Sequence, residues 1–424
     1  MDKAETALGD IRVLDLADEK GLYCGKLLAD LGANVIKIEK PGGDPARNRG
    51  PFYQDEPDPQ KSLYWFQFNT SKRSITLNLE TADGREIFKK LVEGADVLVE
   101  TFPPGYLDGL GLGYAALREI NPDMVMASIT PFGQTGPYSQ LQGTDIIGQA
   151  MGGIMYLAGF PDNPPNRLYG SQAYHMASVQ AAAGILTALY AREVSGEGQH
   201  VDVSMQEAVA IAQESAMQTF DLRREIRKRT GSSGLVPAHP AMGTYPCKDG
   251  YVNFFILDWL TLFDWMEKDG MIGDLREKHQ AVIDKLTDLM FIFGITMNLE
   301  AYDKFLDEDF PPVENQLKAF LMSKTKQELY EGGQGRRIQL SMVSTVEDLL
   351  ASPQLNALGY FVDVEHPDLG ATLKYPGAPY HLSATPWRIE RRAPLIGEHN
   401  LDIYEKEMGF SREKIIQLKQ GGII

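Results

Sequence analysis

Short apolar runs alternate with stretches of helical period through the first half of the chain. IRVLDLA (Ile11 to Ala17) reads as a strand, Gly25 to Leu31 as the core of a helix, and NVIKIEK (Asn34 to Lys40) as a second strand. The rhythm repeats in SITLNLE (Ser74 to Glu80), a helix over Ala82 to Ala95 and a strand over Asp96 to Phe102. It repeats again in a helix over Tyr114 to Asn121 and a strand over Met124 to Phe132. Successive strand–helix–strand units predict a parallel, doubly wound α/β sheet, whose ligands sit at the C-terminal ends of its strands.

Further along, Ala173 to Ala191 is a helix rich in Ala and Leu, followed by a turn and a strand ending at Met205. Gln206 to Arg229 reads as one long helix with a solvated basic end, and Thr244 to Leu257 as a hairpin turning at Lys248–Gly250. Positions 258 to 345 are mostly helical and the least patterned part of the chain, and Ser344 to His366 reads as helix then strand. This divides the chain into a large-domain part over 1–225, a smaller domain with linkers over 226–345, and a C-terminal segment over 346–424.

At 424 residues the chain exceeds one ordinary core. Its net charge of −17 argues against a nucleic-acid partner, which needs a basic footprint. An anionic ligand stays open, because loops and helix N-termini bind phosphate locally. The two cysteines, Cys24 and Cys247, give neither a disulfide framework nor a metal spacing, and the loop histidines His239 and His399 have no second ligand within sequence reach. The charged start MDKAETALGD lacks an apolar core and no run is long enough to span a membrane, so a cytoplasmic location is expected. After the first strand the loop ADEKGLYCG lacks the glycine fingerprint of dinucleotide binders.

Eight stretches, in order along the chain, carry a resemblance: LGANVIKIEKPGGD (31–44), NTSKRSITLNL (69–79), GADVLVETFPPG (94–105), INPDMVMASITPFGQTGPY (120–138), GTDIIGQAMGG (143–153), AAAGILTALYAREVSGEGQHVDVSMQEAV (181–209), YPGAPYHLSATP (375–386) and APLIGEHN (393–400). In these the chain resembles the class III CoA-transferases, with α-methylacyl-CoA racemases as relatives. The resemblance implies a Rossmann-like large domain, a smaller α+β domain, and two chains threaded through each other like linked rings. It also implies acyl-CoA and a carboxylic acid as substrates, with no permanently bound cofactor and no metal. Lys40, Lys72, Arg73 and Phe102 fall where CoA would be held. Against that, Gly109 replaces the basic residue of the PGxLxRLG segment, and Asp18 and Glu19 would repel a pyrophosphate.

The chemistry implied by the resemblance runs through an aspartate whose carboxylate attacks the thioester. Its place, ten or eleven residues before Gly184, is held by Tyr174 or Ala173. From Asn163 to Arg192 there is no Asp or Glu at all, and Asp162 lies in a turn-forming Pro/Asn loop. Four readings are therefore open. The chain is a non-catalytic subunit paired with an aspartate-bearing sister of the same fold. It is a self-sufficient transferase or epimerase using Tyr174 and His175. A carboxylate from elsewhere, Asp145 or Glu207, reaches the site. Or it is a structural partner without activity. Gln172 is a neutral neighbour of the position. Gly133 and Gln134, in the loop GQTGP, either face an acyl oxyanion or simply close a tight connection.

Overall fold

In the computed structural model, which describes residues 6–232, 242–256, 258–288, 291, 301 and 304–424, six parallel strands form one sheet. They are β1 (Arg12–Asp15), β2 (Asn34–Glu39), β3 (Arg73–Thr76), β4 (Val97–Glu100), β5 (Val125–Thr130) and β6 (His200–Ser204), in the order β3-β2-β1-β4-β5-β6. β1 therefore pairs on one side with β2, Val13 opposite Val35, and on the other with β4, Val13 opposite Val97. Through their middles β1 and β4 are apolar on both faces because both faces are covered. Val13, Val97 and Val125 point into one core; Leu14, Leu98 and Met126 point into the other. Each such fully buried Val or Leu contributes about 1.5–3 kcal/mol relative to exposure.

Four helices matter for the site: α1 (Leu22–Asp30), α2 (Ala82–Val92), α3 (Asp145–Met151) and α4 (Gln172–Ser195). α2 begins where the Thr81 hydroxyl accepts the N–H of Gly84, and carries Lys89 and Lys90 in its last turn, where they complement its dipole. α4 buries Ala173, Ala177, Ala181, Ile185 and Ala188, a stripe of mostly small side chains at helical spacing. That stripe lets it lie close on β5 and α1. It ends at Gly196, whose φ of 70° is a left-handed cap that favours glycine.

The chain divides into two compact units. The larger comprises Met1–Ile154, Arg167–Met217 and Pro353–Ile424, so its C-terminal segment returns to it. That segment contributes a hairpin, Phe361–His366 paired antiparallel with Ala371–Pro376. The smaller comprises Met155–Asn166 and Gln218–Ser352. It holds a three-stranded antiparallel sheet, with Cys247 opposite Gly250 at its hairpin turn, packed with helices such as Trp259–Lys268 and Pro311–Met322.

The long helix expected over Gln206 to Arg229 is not continuous. A helix over Met205–Ala210 passes into a short 3-10 turn, the backbone reverses at Glu214 with φ 52°, and a second helix runs only over Ala216–Arg223. Apolar periodicity continued across the break while the backbone did not. His239 lies outside the described residues. Both cysteines are buried and unpaired. No helix among the described residues is long and apolar enough to cross a membrane.

Candidate active site

The strand order reverses between β1 and β4, and a doubly wound sheet offers its ligand crevice outside the strand C-terminal ends at such a point. Here the segments leaving β1, β2 and β4 line a cavity of about 450 Å³. Asp18, Lys40, Gly42, Gly43, Phe102 and Tyr106 face it. The Phe102 and Tyr106 rings stack with centroids 4.7 Å apart. Lys40 is mostly exposed and its ammonium meets Glu80 at 2.7 Å. Thus Lys40 and Phe102, two of the four expected CoA contacts, come together at one opening.

Lys72 does not join them. Its ammonium is fully buried and donates to Asp15 Oδ2 at 2.8 Å, the Leu22 carbonyl at 2.9 Å and Asn69 Oδ1 at 2.9 Å. All three donors are spent inside the protein, which corrects the expectation that it faces a ligand. Burial holds its pKa below the ordinary lysine value, against the pull of Asp15. Helix α1 lies so close to this pair that a Cβ on Gly25 would sit 2.3 Å from Asp15 Oδ2. Arg73 turns elsewhere, to Glu407 at 2.5 Å. Beside them Glu39 accepts from Arg47 Nε and Nη2 at 2.6 and 2.8 Å, and from the Ser74 hydroxyl at 2.6 Å.

The second half of the site is the start of α4. Tyr174 is 4% exposed, and the backbone N–H groups of Ala173 and Tyr174 donate to Asp145 Oδ1 at 2.8 and 3.2 Å. Gln149 Nε2 donates to Asp145 Oδ2 at 2.7 Å. The carboxylate of Asp145 thus caps the helix that a nucleophile would need to sit on, stabilised by the positive end of its dipole. It is occupied rather than free to attack. Glu207 is exposed at the first turn of Met205–Ala210, and its N–H is taken by the Ser204 hydroxyl. Gln172 turns back to the Tyr169 carbonyl at 2.9 Å.

The Tyr174 hydroxyl donates to Glu19 Oε1 at 3.4 Å. Burial, reinforced by Glu19, pushes its pKa further above the ordinary phenol value, so this side chain is held neutral. Glu19 is itself paired with Arg49 Nη1 at 2.8 Å, and Arg49 Nη2 donates to Ser171 Oγ at 3.0 Å. The guanidinium lies over the Tyr64 ring, 4.1 Å from its centre. His175 packs edge-on to Tyr23 at 5.4 Å and tilted on Phe68 at 5.2 Å. Its Nε2 is buried without a partner, and burial lowers its pKa, so the ring is neutral near pH 7. Arg49, Tyr23, Tyr64 and Phe68 were not among the residues expected here. Nothing in local spacing marks them, since Arg49 and Ser171 are 122 positions apart.

Gly133 and Gln134 have already spent their N–H groups. Gly133 N–H donates to Thr130 Oγ1 at 2.9 Å, and Gln134 N–H to both oxygens of Asp202 at 3.1 and 2.9 Å. The loop acts as a connection rather than a free pair of oxyanion donors. Among the described residues no group of three or more His, Cys, Asp or Glu side chains could hold a metal.

Comparison with known proteins matches a family model described as CoA-transferase family III over residues 8–400. The chain is 38% identical over 420 residues to the succinyl-CoA:(R)-benzylsuccinate CoA-transferase subunit BbsE of Thauera aromatica, covering 97% of each chain. It is 33% identical over 432 residues to the succinyl-CoA–D-citramalate CoA-transferase of Chloroflexus aurantiacus, covering 98% of each. Among solved structures it is similar to a CAIB/BAIF family protein from Brucella suis, with a TM-score of 0.78, 28% identity, and coverage of 95% of this chain and 99% of that one.

Proposed function

Since the chain belongs to CoA-transferase family III, we propose that it is the subunit of a heteromeric CoA-transferase that lacks its own nucleophile, and that it works with a sister chain of the same fold bearing the aspartate. The observation that carries this reading is Tyr174: a neutral phenol, buried at the first turn of α4, where an ionised carboxylate would be needed. Asp145 does not replace it, because its carboxylate caps α4.

The reaction would move CoA from an acyl-CoA donor such as succinyl-CoA to a carboxylic acid. The sister's aspartate attacks the thioester carbonyl, the C–S bond breaks and CoA thiolate leaves, giving a mixed anhydride. The thiolate then attacks the aspartyl carbonyl, releasing the donor acid and leaving an aspartyl-CoA thioester. The acceptor carboxylate attacks that thioester carbonyl, the C–S bond breaks and CoA thiolate leaves, giving a second mixed anhydride. The thiolate then attacks the acceptor's acyl carbon, forming the acceptor-CoA thioester and freeing the aspartate. No redox step and no net proton change are involved. The named acceptors of the two reported relatives, benzylsuccinate and citramalate, are dicarboxylic acids, which favours a dicarboxylic acceptor here. This chain would supply the cavity by Lys40 and Phe102 for part of CoA, in a linked-ring assembly in the cytoplasm, with CoA coming and going as substrate rather than resident cofactor.

Turnover tests the reading. The purified chain is mixed with succinyl-CoA and a panel of carboxylic acids, and CoA exchange is followed by mass spectrometry. Exchange is expected to be absent with the chain alone and to appear on adding an aspartate-bearing homologous chain. Exchange by the chain alone overturns the silent-subunit reading.

A further inference from the structure

Arg49 is built to hold a carboxylate. Its guanidinium is pinned from two sides, by the ring of Tyr64 4.1 Å from the group and by the hydroxyl of Ser171 at 3.0 Å. Ser171 is itself buried at the N-cap of α4, so the pin is rigid. A planar fork fixed in this way has lost its conformational freedom in advance, which is what makes an arginine selective for a carboxylate. The remaining edge holds Glu19 at 2.8 Å, and this ion pair is open to solvent, with side chains 40% and 37% exposed. An ion pair so exposed is worth little by itself and is readily exchanged.

Next to the pair lies an aromatic wall. Tyr64 and Phe68 are 4.8 Å apart, Phe68 and His175 5.2 Å, and His175 and Tyr23 5.4 Å, between ring centres. Within it His175 Nε2 is a buried polar atom with no partner. A buried, unpaired ring nitrogen costs free energy unless something arrives to bond it. The wall offers ring faces, with the Tyr23 and Tyr64 hydroxyls, the His175 ring nitrogens and the Arg49 cation as its polar groups.

Resting on the transferase reading above, we infer that Arg49 receives the non-reacting carboxylate of a dicarboxylic acid in exchange for Glu19, and that the Tyr23–Tyr64–Phe68–His175 wall receives its hydrocarbon substituent. Arg49 is then a specificity-determining residue contributed by this chain. Glu19 is the internal carboxylate that keeps the fork occupied between ligands.

Equilibrium binding tests this without requiring catalysis. The full chain, alone and as its complex with the aspartate-bearing homologue, is titrated calorimetrically with succinate, 2-benzylsuccinate, butyrate and 4-phenylbutyrate. Each dicarboxylate is expected to bind at least about tenfold more tightly than its monocarboxylate analogue, the scale of one charge-assisted hydrogen bond. Arg49→Gln removes that preference and leaves monocarboxylate affinity within about twofold. Arg49→Lys retains the charge and loses part of it, because an ammonium lacks the fork. Glu19→Gln tightens dicarboxylate binding by removing the competitor. Equal binding of mono- and dicarboxylates, an Arg49→Gln effect equal on both, or no binding of any acid in either form overturns the inference. Melting curves of the variants separate a folding failure from these outcomes, with Arg49→Lys as the variant that keeps the packing. The silent-subunit reading is judged by turnover instead, so the two fail separately.

Discussion

The polar groups beneath β1 to β3 and those at the start of α4 are made of the same residue types and are used in opposite ways. Beneath the strands, Asp15, Lys72, Glu39 and Arg47 are all within a few per cent of full burial and are bonded to one another. Lys37 joins them. Burial opposes its charge, but Asp44 and Asp15 outweigh that and hold its pKa above the ordinary lysine value. At α4, by contrast, Glu19 and Arg49 are open to water, and His175 keeps one nitrogen unbonded. Charges already spent on each other position a site. Charges half-spent at its edge are the ones available to a ligand.

Substitutions that treat the two regions alike should therefore give unlike results. The largest effect is expected from Lys72→Met, which leaves buried Asp15 with only the Ala17 N–H and the Lys37 ammonium 3.9 Å away. Such a loss costs about 3–5 kcal/mol, read as a fall in urea midpoint and Tm. An unchanged Tm with weakened CoA binding would restore Lys72 to the ligand.

Glu100 comes next. Its carboxyl is pushed up to about 7, chiefly by burial, with the Ser128 hydroxyl and the Phe102 N–H, at 2.7 Å, only partly offsetting it. A carboxyl with a raised pKa favours the folded state while protonated. Its contribution is complete below the ordinary value of 4.5 and is lost as pH rises through about 7. Glu100→Gln stays neutral throughout. Across that window the wild type should lose stability relative to the variant by on the order of 3 kcal/mol. A difference that does not move with pH contradicts the assignment. Smallest is Lys40→Met, at the mouth of the cavity, which is expected to leave Tm where it was and weaken CoA binding. A drop in Tm there would make Lys40 structural too.

The sheet was legible in the sequence because period and strand length state it directly: IRVLDLA, NVIKIEK and DVLVETF each became a strand, trimmed at the ends. That no Asp or Glu stands between Asn163 and Arg192 was legible without coordinates, as were Tyr174 and Ala173 as the two positions in question, both buried at the start of α4. The direction of Lys72 was not legible. A lysine beside a strand can point outward or inward, and only the packing of α1 through Gly25 decides. The break at Glu214 was hidden because no Gly or Pro marks it. Arg49 was hidden because its partners, Glu19, Tyr64 and Ser171, come from separate segments that only the fold assembles.

The central claim is that this chain lacks the nucleophile and a sister supplies it. The direct measurement is to incubate the reconstituted complex with succinyl-CoA, reduce trapped enzyme-bound thioester with borohydride, and locate the modified residue by peptide mass mapping. The account predicts modification on the sister chain and none on this one. A modified carboxylate on this chain, at Glu19, Asp145 or elsewhere, would contradict it.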